Sequence, residues 1–294
     1  MSNVIHFNFK RPLSKIFSKG TLFPKPYPIE WILLFSGILL TFYYSWIVDD
    51  AYVFFRYVDN LLFLHKGLVY NQGEYVEGFS SPGWVIVLII LRFLHLNYWL
   101  IIRFIAAASF VVFWALLIIL NRKLSEGQPK PYIFNYPLIH LSLTYGVLCY
   151  FSSGLETPLV LIAAAGYACI FLFPQSLLLQ SLLGLSPLIR HELAVPYTIV
   201  CIWFLITRKR IPWTLFLCCA VSLGGLFLFR VYYYADLLPN TFYLKEGLAI
   251  KQGLYYLYDT IVHYATGYIL LFFLFVFIAL KNLTRIMNFS SSRE

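Results

Sequence analysis

Long apolar runs separated by short charged patches extend over the whole chain, and this pattern constrains the fold more than any motif does. Hydrophobic residues make up 61% of the 294 positions and charged residues only 12%. These proportions exclude a water-soluble globule, and the runs exclude a disordered, nucleic-acid-binding or collagen-like chain. The sequence predicts a polytopic transmembrane protein of the all-α class.

About eight apolar stretches are candidate membrane spans: residues 31–48, 99–120, 133–151, 158–173, 176–189, 193–206, 212–229 and 265–280. Lys and Arg collect in cytoplasmic loops, which accounts for the net charge of +9 and sets the orientation. The N-terminus (residues 1–30), the tail (281–294) and the loops around Arg122 and Arg208 are therefore predicted to be cytoplasmic. We expect a multi-pass protein of the cytoplasmic (inner) membrane, with residues 31–280 as its catalytic transmembrane module.

Residues 49–97 are predicted to form a long outer loop with helices on the membrane surface. The first helix begins at Asp49 or Asp50, either of which suits an N-cap, and runs to about Lys66. Gly67 is placed to end it in the left-handed conformation. One side of this helix is apolar, and the other carries Arg56, Asp59 and Asn60.

The apolar stretch from Pro82 to Leu96 is predicted to lie on the outer surface. It has about 15 residues and contains Arg92 and His95, whereas a straight crossing needs about 20 apolar residues. With this stretch outside the bilayer, the basic loops all fall on the cytoplasmic side.

Acidic residues concentrate on the predicted outer side, which holds ten of the 13 in the chain. Five of these acids lie in four clusters: Asp49-Asp50, the segment 154–158 with Glu156, Arg190-His191-Glu192, and the segment 236–241 with Asn240 and the nearby Lys245. Each cluster has a structural alternative, since the aspartates and Glu156 could cap helices and Arg190 could pair with Glu192. Together, acids beside Arg and Lys at a membrane surface suit an enzyme that activates a hydroxyl while holding a phosphate.

A family resemblance follows from the run DDAYVFFRYVDNL (49–61), continued by GLVYNQGEYVEGFSSPGW (67–84). It resembles the first outer loop of GT-C polyprenyl-phosphate-dependent glycosyltransferases. The closest likeness is to the mycobacterial-type terminal arabinofuranosyltransferases and related pilin-modifying enzymes. The segments SGLETPL (153–159), RHE (190–192) and LPNTFYLK (238–245) are in the family's order, so the resemblance covers about residues 31–250.

This resemblance implies an inverting transfer of a sugar, with arabinofuranose as the leading candidate, from a polyprenyl-monophosphate donor on the outer face of the membrane. The acceptor is a cell-envelope glycan or a surface protein. Asp49 becomes the base, Asp50 its orienting neighbour and Glu156 the second acidic site. The donor phosphate and the rest of the substrate are assigned to Arg56, Arg190, Glu192, Asn240 and Lys245. No cofactor is required, and a divalent cation on Asp49, Asp50 and Glu156 is left open.

Two alternative functions stay open at this point. In a transporter or flippase for a lipid-linked sugar, the same carboxylates would form a relay or a binding site. Transporters often contain repeated halves, and no convincing repeat is present in this sequence. The third interpretation is a catalytically silent membrane subunit.

Overall fold

The computed structural model describes residues 24–125, 135–244 and 250–265, and all the regular structure in these ranges is helical. The prediction of an all-α protein is thus confirmed for the described part. Its α-helices are α1 (Pro28–Tyr43), α2 (Asp49–Leu62), α3 (Pro82–Arg92), α4 (Tyr98–Ser125), α5 (Tyr136–Leu143), α6 (Tyr145–Phe151), α7 (Thr157–Leu172), α8 (Leu177–Leu185), α9 (Ala194–Trp203), α10 (Trp213–Tyr234), α11 (Asn240–Leu244) and α12 (Ile250–Asp259).

The chain divides into two compact units, Met1–Tyr243 and Leu244–Glu294. In the second unit the described residues form α12 and a wider turn, Thr260–Ala265, that continues it. The first unit contains α1 to α10 and every site residue considered below that the structure describes.

Two helices in the described ranges are long and apolar enough to cross a membrane. They are α4, with 28 residues and a mean hydropathy of 2.4, and α10, with 22 residues and a mean hydropathy of 2.0. Only 17% of the most apolar stretch of α10 is buried inside the protein. A wide exposed apolar surface of this kind suits contact with lipid better than contact with water.

The other predicted spans correspond to shorter helices or to residues outside the described ranges. Both α1 and α7 have 16 residues, α8 has nine and α9 has ten. The stretch 133–151, expected as one span, is described from Asn135 and divides into α5 and α6 at Thr144. Thr144 is extended (ψ 113°), and its hydroxyl donates to the carbonyl of His140 at 2.6 Å. The span 265–280 lies almost wholly outside the described residues, so an eight-span topology stays a prediction.

Helix α4 is the central element of the first unit. It packs against α1 on one side and α7 on another, around the buried side chains Phe110, Trp114 and Ile118. The indole of Trp114 donates to the carbonyl of Glu30 in α1 at 2.7 Å. At its other end α4 contributes Ile101 and Ile102 to a second core shared with α2 and α3. The two cores join α2 and α3 to α1, α4 and α7.

Helix α2 matches the predicted surface helix in position but differs in detail. Val48 occupies the cap position, so Asp49 is the first residue of the helix rather than its cap. The helix ends at Leu62 instead of Lys66, although Gly67 is left-handed as expected, with φ +86°. Asn60 was assigned to the polar face but is only 4% exposed. Its amide donates to the carbonyls of Val69 and Tyr70 at 2.7 and 3.0 Å, which closes the loop after the helix.

Close packing of α8 against α10 depends on Gly184. A Cβ at this position would lie 2.6 Å from the carbonyl oxygen of Leu215 and 2.8 Å from the Cβ of Cys218. Both neighbours belong to α10, so an added methyl group would have to push the two helices apart.

We expect Gly184→Ala to destabilise the protein by about 1–3 kcal/mol because of this overpacking. The matched control is Gly224→Ala in α10, where no atom lies within 4 Å of the added Cβ. Thermal unfolding in detergent gives the melting temperature of each variant. Equal melting temperatures for the two would contradict the close contact.

Candidate functional site

A pocket of about 410 Å³ lies where α7 begins and the chain enters α9. Its polar lining consists of Glu156, Thr157, Arg190 and Glu192, and its apolar lining of Leu155, Val160 and Leu193. The structure therefore brings together two of the four clusters that the sequence singled out, the one containing Glu156 and the one containing Arg190.

Glu156 occupies the N-cap position of α7, but its side chain makes no capping hydrogen bond. Instead its Oε1 accepts from Nη1 of Arg190 at 2.7 Å. The residue is only 5% exposed, and its Oε2 is buried without any hydrogen-bond partner. A buried carboxylate oxygen is costly to leave unsatisfied, so a molecule that donates a hydrogen bond to this atom would be favoured.

Arg190 is held between two carboxylates. Besides Glu156, it binds Glu192 through Nε at 3.1 Å and through Nη2 at 2.8 Å. Burial alone would lower the pKa of Arg190, but the hydrogen bonds and charges of the two glutamates outweigh it and raise that pKa. Arg190 and Glu192 thus form the ion pair that the sequence left as a structural alternative.

Glu192 forms the exposed side of the pocket, with 55% of its side chain accessible. Partial burial favours a higher pKa, but the hydrogen bonds from Arg190 and from its own backbone N–H, with the charge of Arg190, lower it overall. The neighbouring His191 is 74% exposed, and its Nδ1 lies 3.6 Å from Oε2 of Glu192. Glu192 is therefore ionised at neutral pH and keeps Arg190 oriented.

Asp49 and Asp50 lie at the start of α2, and both are exposed. Oδ1 of Asp49 accepts from the N–H of Asp50 at 3.0 Å. The residue before them, Val48, donates its N–H to the carbonyl of Ser153 at 3.0 Å. Ser153 lies three residues before Glu156 in the same loop. The aspartates therefore follow a backbone bond to the loop that carries Glu156, although neither of them is among the described residues that line the pocket.

Gly154 makes this close approach of the two segments feasible. Its φ is +87°, and a Cβ there would lie 2.8 Å from the Cβ of Ala51 in α2. Its carbonyl accepts from the indole of Trp84 in α3 at 3.1 Å. A residue with a side chain would be strained in this conformation and would collide with α2.

A metal site does not emerge from the acidic residues. Within the described ranges, no three His, Cys, Asp or Glu side chains come together in a way that could hold a metal ion. Asp49, Asp50 and Glu156 are all described, and they do not form the three-carboxylate set that the sequence left open for a divalent cation.

The structure shows the local contacts of two of the three remaining candidates, and neither of these two lines the pocket. Arg56 donates to the carbonyl of Tyr70 at 2.8 Å and to Oδ1 of Asn71 at 3.0 Å, and its guanidinium lies 4.2 Å from the centre of the Tyr70 ring. Asn240 begins α11, and its N–H donates to the carbonyl of Glu77 at 2.9 Å. Lys245 lies outside the described residues.

Sequence reasoning missed a buried ion pair between the outer loop and α10. Arg230 binds Glu77 through two hydrogen bonds, Nε–Oε2 at 2.6 Å and Nη2–Oε1 at 2.9 Å, and their side chains are 9% and 3% exposed. The available signal was Arg230 itself, because a cation near the end of an apolar span requires a partner. Its identity could not be inferred, since Glu77 lies 153 positions earlier.

No known protein family, curated protein or solved structure matches this chain. The functional assignment therefore depends on the chemistry of the site itself.

Glu192 generates a pH prediction. Its folded pKa lies below its ordinary value of 4.5, so the ion pair stabilises the folded state above that pH and the effect is lost as the pH falls through the lowered pKa. We expect Glu192→Gln to melt slightly below wild type at pH 7, with a small difference because Glu192 is exposed. The difference should begin to shrink near pH 4.5 and disappear once the pH is below the lowered pKa. A difference that is constant between neutral and acidic pH would contradict this assignment.

Breaking the Glu77–Arg230 pair should have a larger effect. Glu77→Gln leaves a buried guanidinium without its counter-charge, so we expect a loss of about 3–5 kcal/mol in unfolding free energy. The double variant Glu77→Leu with Arg230→Met removes both charges and should lose less. Glu74→Gln, an exposed carboxylate of the same loop, is the control. A melting temperature for Glu77→Gln equal to that of the control would show that the buried pair does not form.

Proposed function

We propose that the protein is a membrane glycosyltransferase of the GT-C type. It transfers a sugar, with arabinofuranose as the first candidate, from a polyprenyl-monophosphate donor to a glycan or protein acceptor at the outer face of the cytoplasmic membrane. The eight-span topology and the outward orientation of the 49–97 loop belong to this proposal.

The buried, unsatisfied carboxylate of Glu156 in a pocket with apolar walls is the observation that carries the proposal. The polar atoms of such a pocket can bind a hydrophilic headgroup, and its apolar side chains can contact the apolar part of the same ligand. It opens beside helices whose exposed surfaces are apolar, such as α9 with Val195 and Ile199. A lipid-linked sugar has the matching division into a polar head and an apolar chain.

Asp49 is placed to act as the base. It is exposed, and among the described residues the single hydrogen bond of its side chain is the one that Oδ1 accepts from Asp50, so Oδ2 is available. Its position in the first turn of α2 stabilises the carboxylate through the helix dipole. In the reaction the acceptor oxygen bonds to the anomeric carbon, its proton passes to Asp49, and the carbon–oxygen bond to the phosphate breaks. The electron pair leaves on the polyprenyl phosphate, and attack opposite that group inverts the configuration.

The phosphate is assigned to Arg56. Asp49 and Arg56 are seven residues apart on α2, which places both on its exposed face with a rise of about 10 Å between them. This separation accommodates the acceptor hydroxyl and the anomeric carbon between the base and the leaving phosphate. Arg56 is fixed by Tyr70 and Asn71, so its charge is pre-positioned, and the guanidinium has further N–H donors for phosphate oxygens.

The decisive experiment measures sugar transfer from synthetic polyprenyl-phosphate arabinofuranose by the purified protein in proteoliposomes. We expect Asp49→Asn to lower the transfer rate by about 100-fold or more, because a positioned base contributes this much. Asp259→Asn, the same change at an exposed aspartate of α12 that has no assigned role, is the matched control and should stay within about twofold of wild type.

Two results would overturn the proposal. The first is that the wild-type protein transfers sugar from no polyprenyl-phosphate donor but moves the labelled lipid across the vesicle membrane. This result would favour a flippase. Full transfer by Asp49→Asn would remove Asp49 as the base.

A further inference from the structure

We propose that the pocket around Glu156 and Arg190 binds the hydroxyl groups of a neutral sugar ring and not the phosphate of the donor. This inference rests on the proposed function and assigns one part of the substrate to one part of the site. It also changes the role of Arg190, which the sequence suggested as a phosphate ligand.

The charge of the pocket argues against a bound phosphate. Among the side chains that line it, Glu156 and Glu192 contribute two negative charges and Arg190 one positive charge. The guanidinium is thus already surrounded by carboxylates at 2.7 and 2.8 Å. A phosphate would add a further negative charge beside a buried carboxylate, which is electrostatically unfavourable.

The unsatisfied oxygen of Glu156 selects for a donor. An ionised carboxylate accepts hydrogen bonds and donates none, and its Oε2 lacks a partner although the residue is 5% exposed. An ionised phosphodiester also has acceptors alone, so its oxygens would repel this atom. A sugar hydroxyl donates a proton and satisfies it.

Arg190 allows the same hydroxyl to make a second bond. Its Nε, Nη1 and Nη2 each use one N–H on the glutamates, and a guanidinium has five N–H groups. One unused N–H therefore remains on each terminal nitrogen. A hydroxyl can donate to Glu156 and accept from Arg190 at the same time. An ionised phosphate oxygen can accept from Arg190 but has no proton to donate to Glu156.

Thr157 extends the site to a second hydroxyl. It lines the pocket as the first residue of α7, a helix of 16 residues, and no described residue bonds its hydroxyl or its N–H. The next residue, Pro158, has no N–H to offer. Thr157 therefore supplies one hydroxyl that donates or accepts and one N–H that donates, a mixture that fits neighbouring hydroxyls on a ring.

Two amphiphiles with the same tail separate the sugar from the phosphate as the bound group. Octyl arabinofuranoside and octyl glucopyranoside present a neutral sugar, and octyl phosphate presents the anion. Isothermal titration calorimetry measures their binding to the full chain in nanodiscs without an acceptor, so no transfer is involved. We expect at least one glycoside to bind. We expect Glu156→Gln and Thr157→Val each to weaken its Kd by about tenfold or more, because a charged or buried partner is lost.

Thr157→Ser is the conservative control, because it keeps the hydroxyl and should bind like wild type. Octyl phosphate should bind with equal Kd to the wild type and to the variants Glu156→Gln, Thr157→Val and Thr157→Ser. If Glu156→Gln does not fold, as its melting curve would show, Thr157→Val against Thr157→Ser decides alone. The proposal is overturned if neither glycoside binds, if the variants bind them as wild type does, or if Glu156→Gln binds octyl phosphate more tightly.

This result is separable from that of the transfer assay. Failure of glycoside binding with transfer intact would leave the glycosyltransferase in place and remove the sugar from this pocket. Glycoside binding without transfer would leave a sugar site in a protein of another function.

Discussion

The ion pair between Glu156 and Arg190 is the interaction on which the rest of the site depends. It joins the start of α7 to the segment before α9, two points 34 residues apart in the sequence. Because the carboxylate is buried, removing the guanidinium would leave an unpaired charge, so the two segments are fixed together. The bond uses one oxygen of Glu156 and leaves the other, which is buried, without a partner. The same contact that fixes the structure thus creates an unsatisfied acceptor.

The outer loop is fixed to the helices by a second group of buried polar contacts. Glu77 pairs with Arg230, and the hydroxyls of Tyr233 and Tyr234 bond the backbone of Leu68 at 2.7 Å each. In an apolar medium these polar groups have few alternative hydrogen-bond partners, so breaking any one of the bonds would be costly. Since α2 belongs to this loop, its exposed face keeps a fixed relation to α10 through Glu77 and Leu68.

Local patterns in the sequence predicted the parts of the fold that short-range chemistry determines. The helix at Asp49, the left-handed Gly67 and the short helix at Pro82 all follow from residues within a few positions. Long-range contacts determine the rest. Asn60 is polar and periodicity places it outside, yet it is buried because the carbonyls of Val69 and Tyr70 fold back over it. The sequence suggested the pair of Arg190 with its near neighbour Glu192, but the bond from Arg190 to Glu156 could not be inferred because the two residues are 34 positions apart.

The contrast between Glu156 and Asp49 favours different roles for the two acids in the proposed reaction. Glu156 is 5% exposed and fixed by Arg190, so it is suited to hold a ligand in one orientation. Asp49 is exposed at a helix N-terminus and has a free oxygen within the described part of the structure. A base must pass its proton to water after each turnover, and a buried carboxylate cannot do so without moving. Solvent access therefore favours Asp49 for proton transfer and burial favours Glu156 for substrate binding.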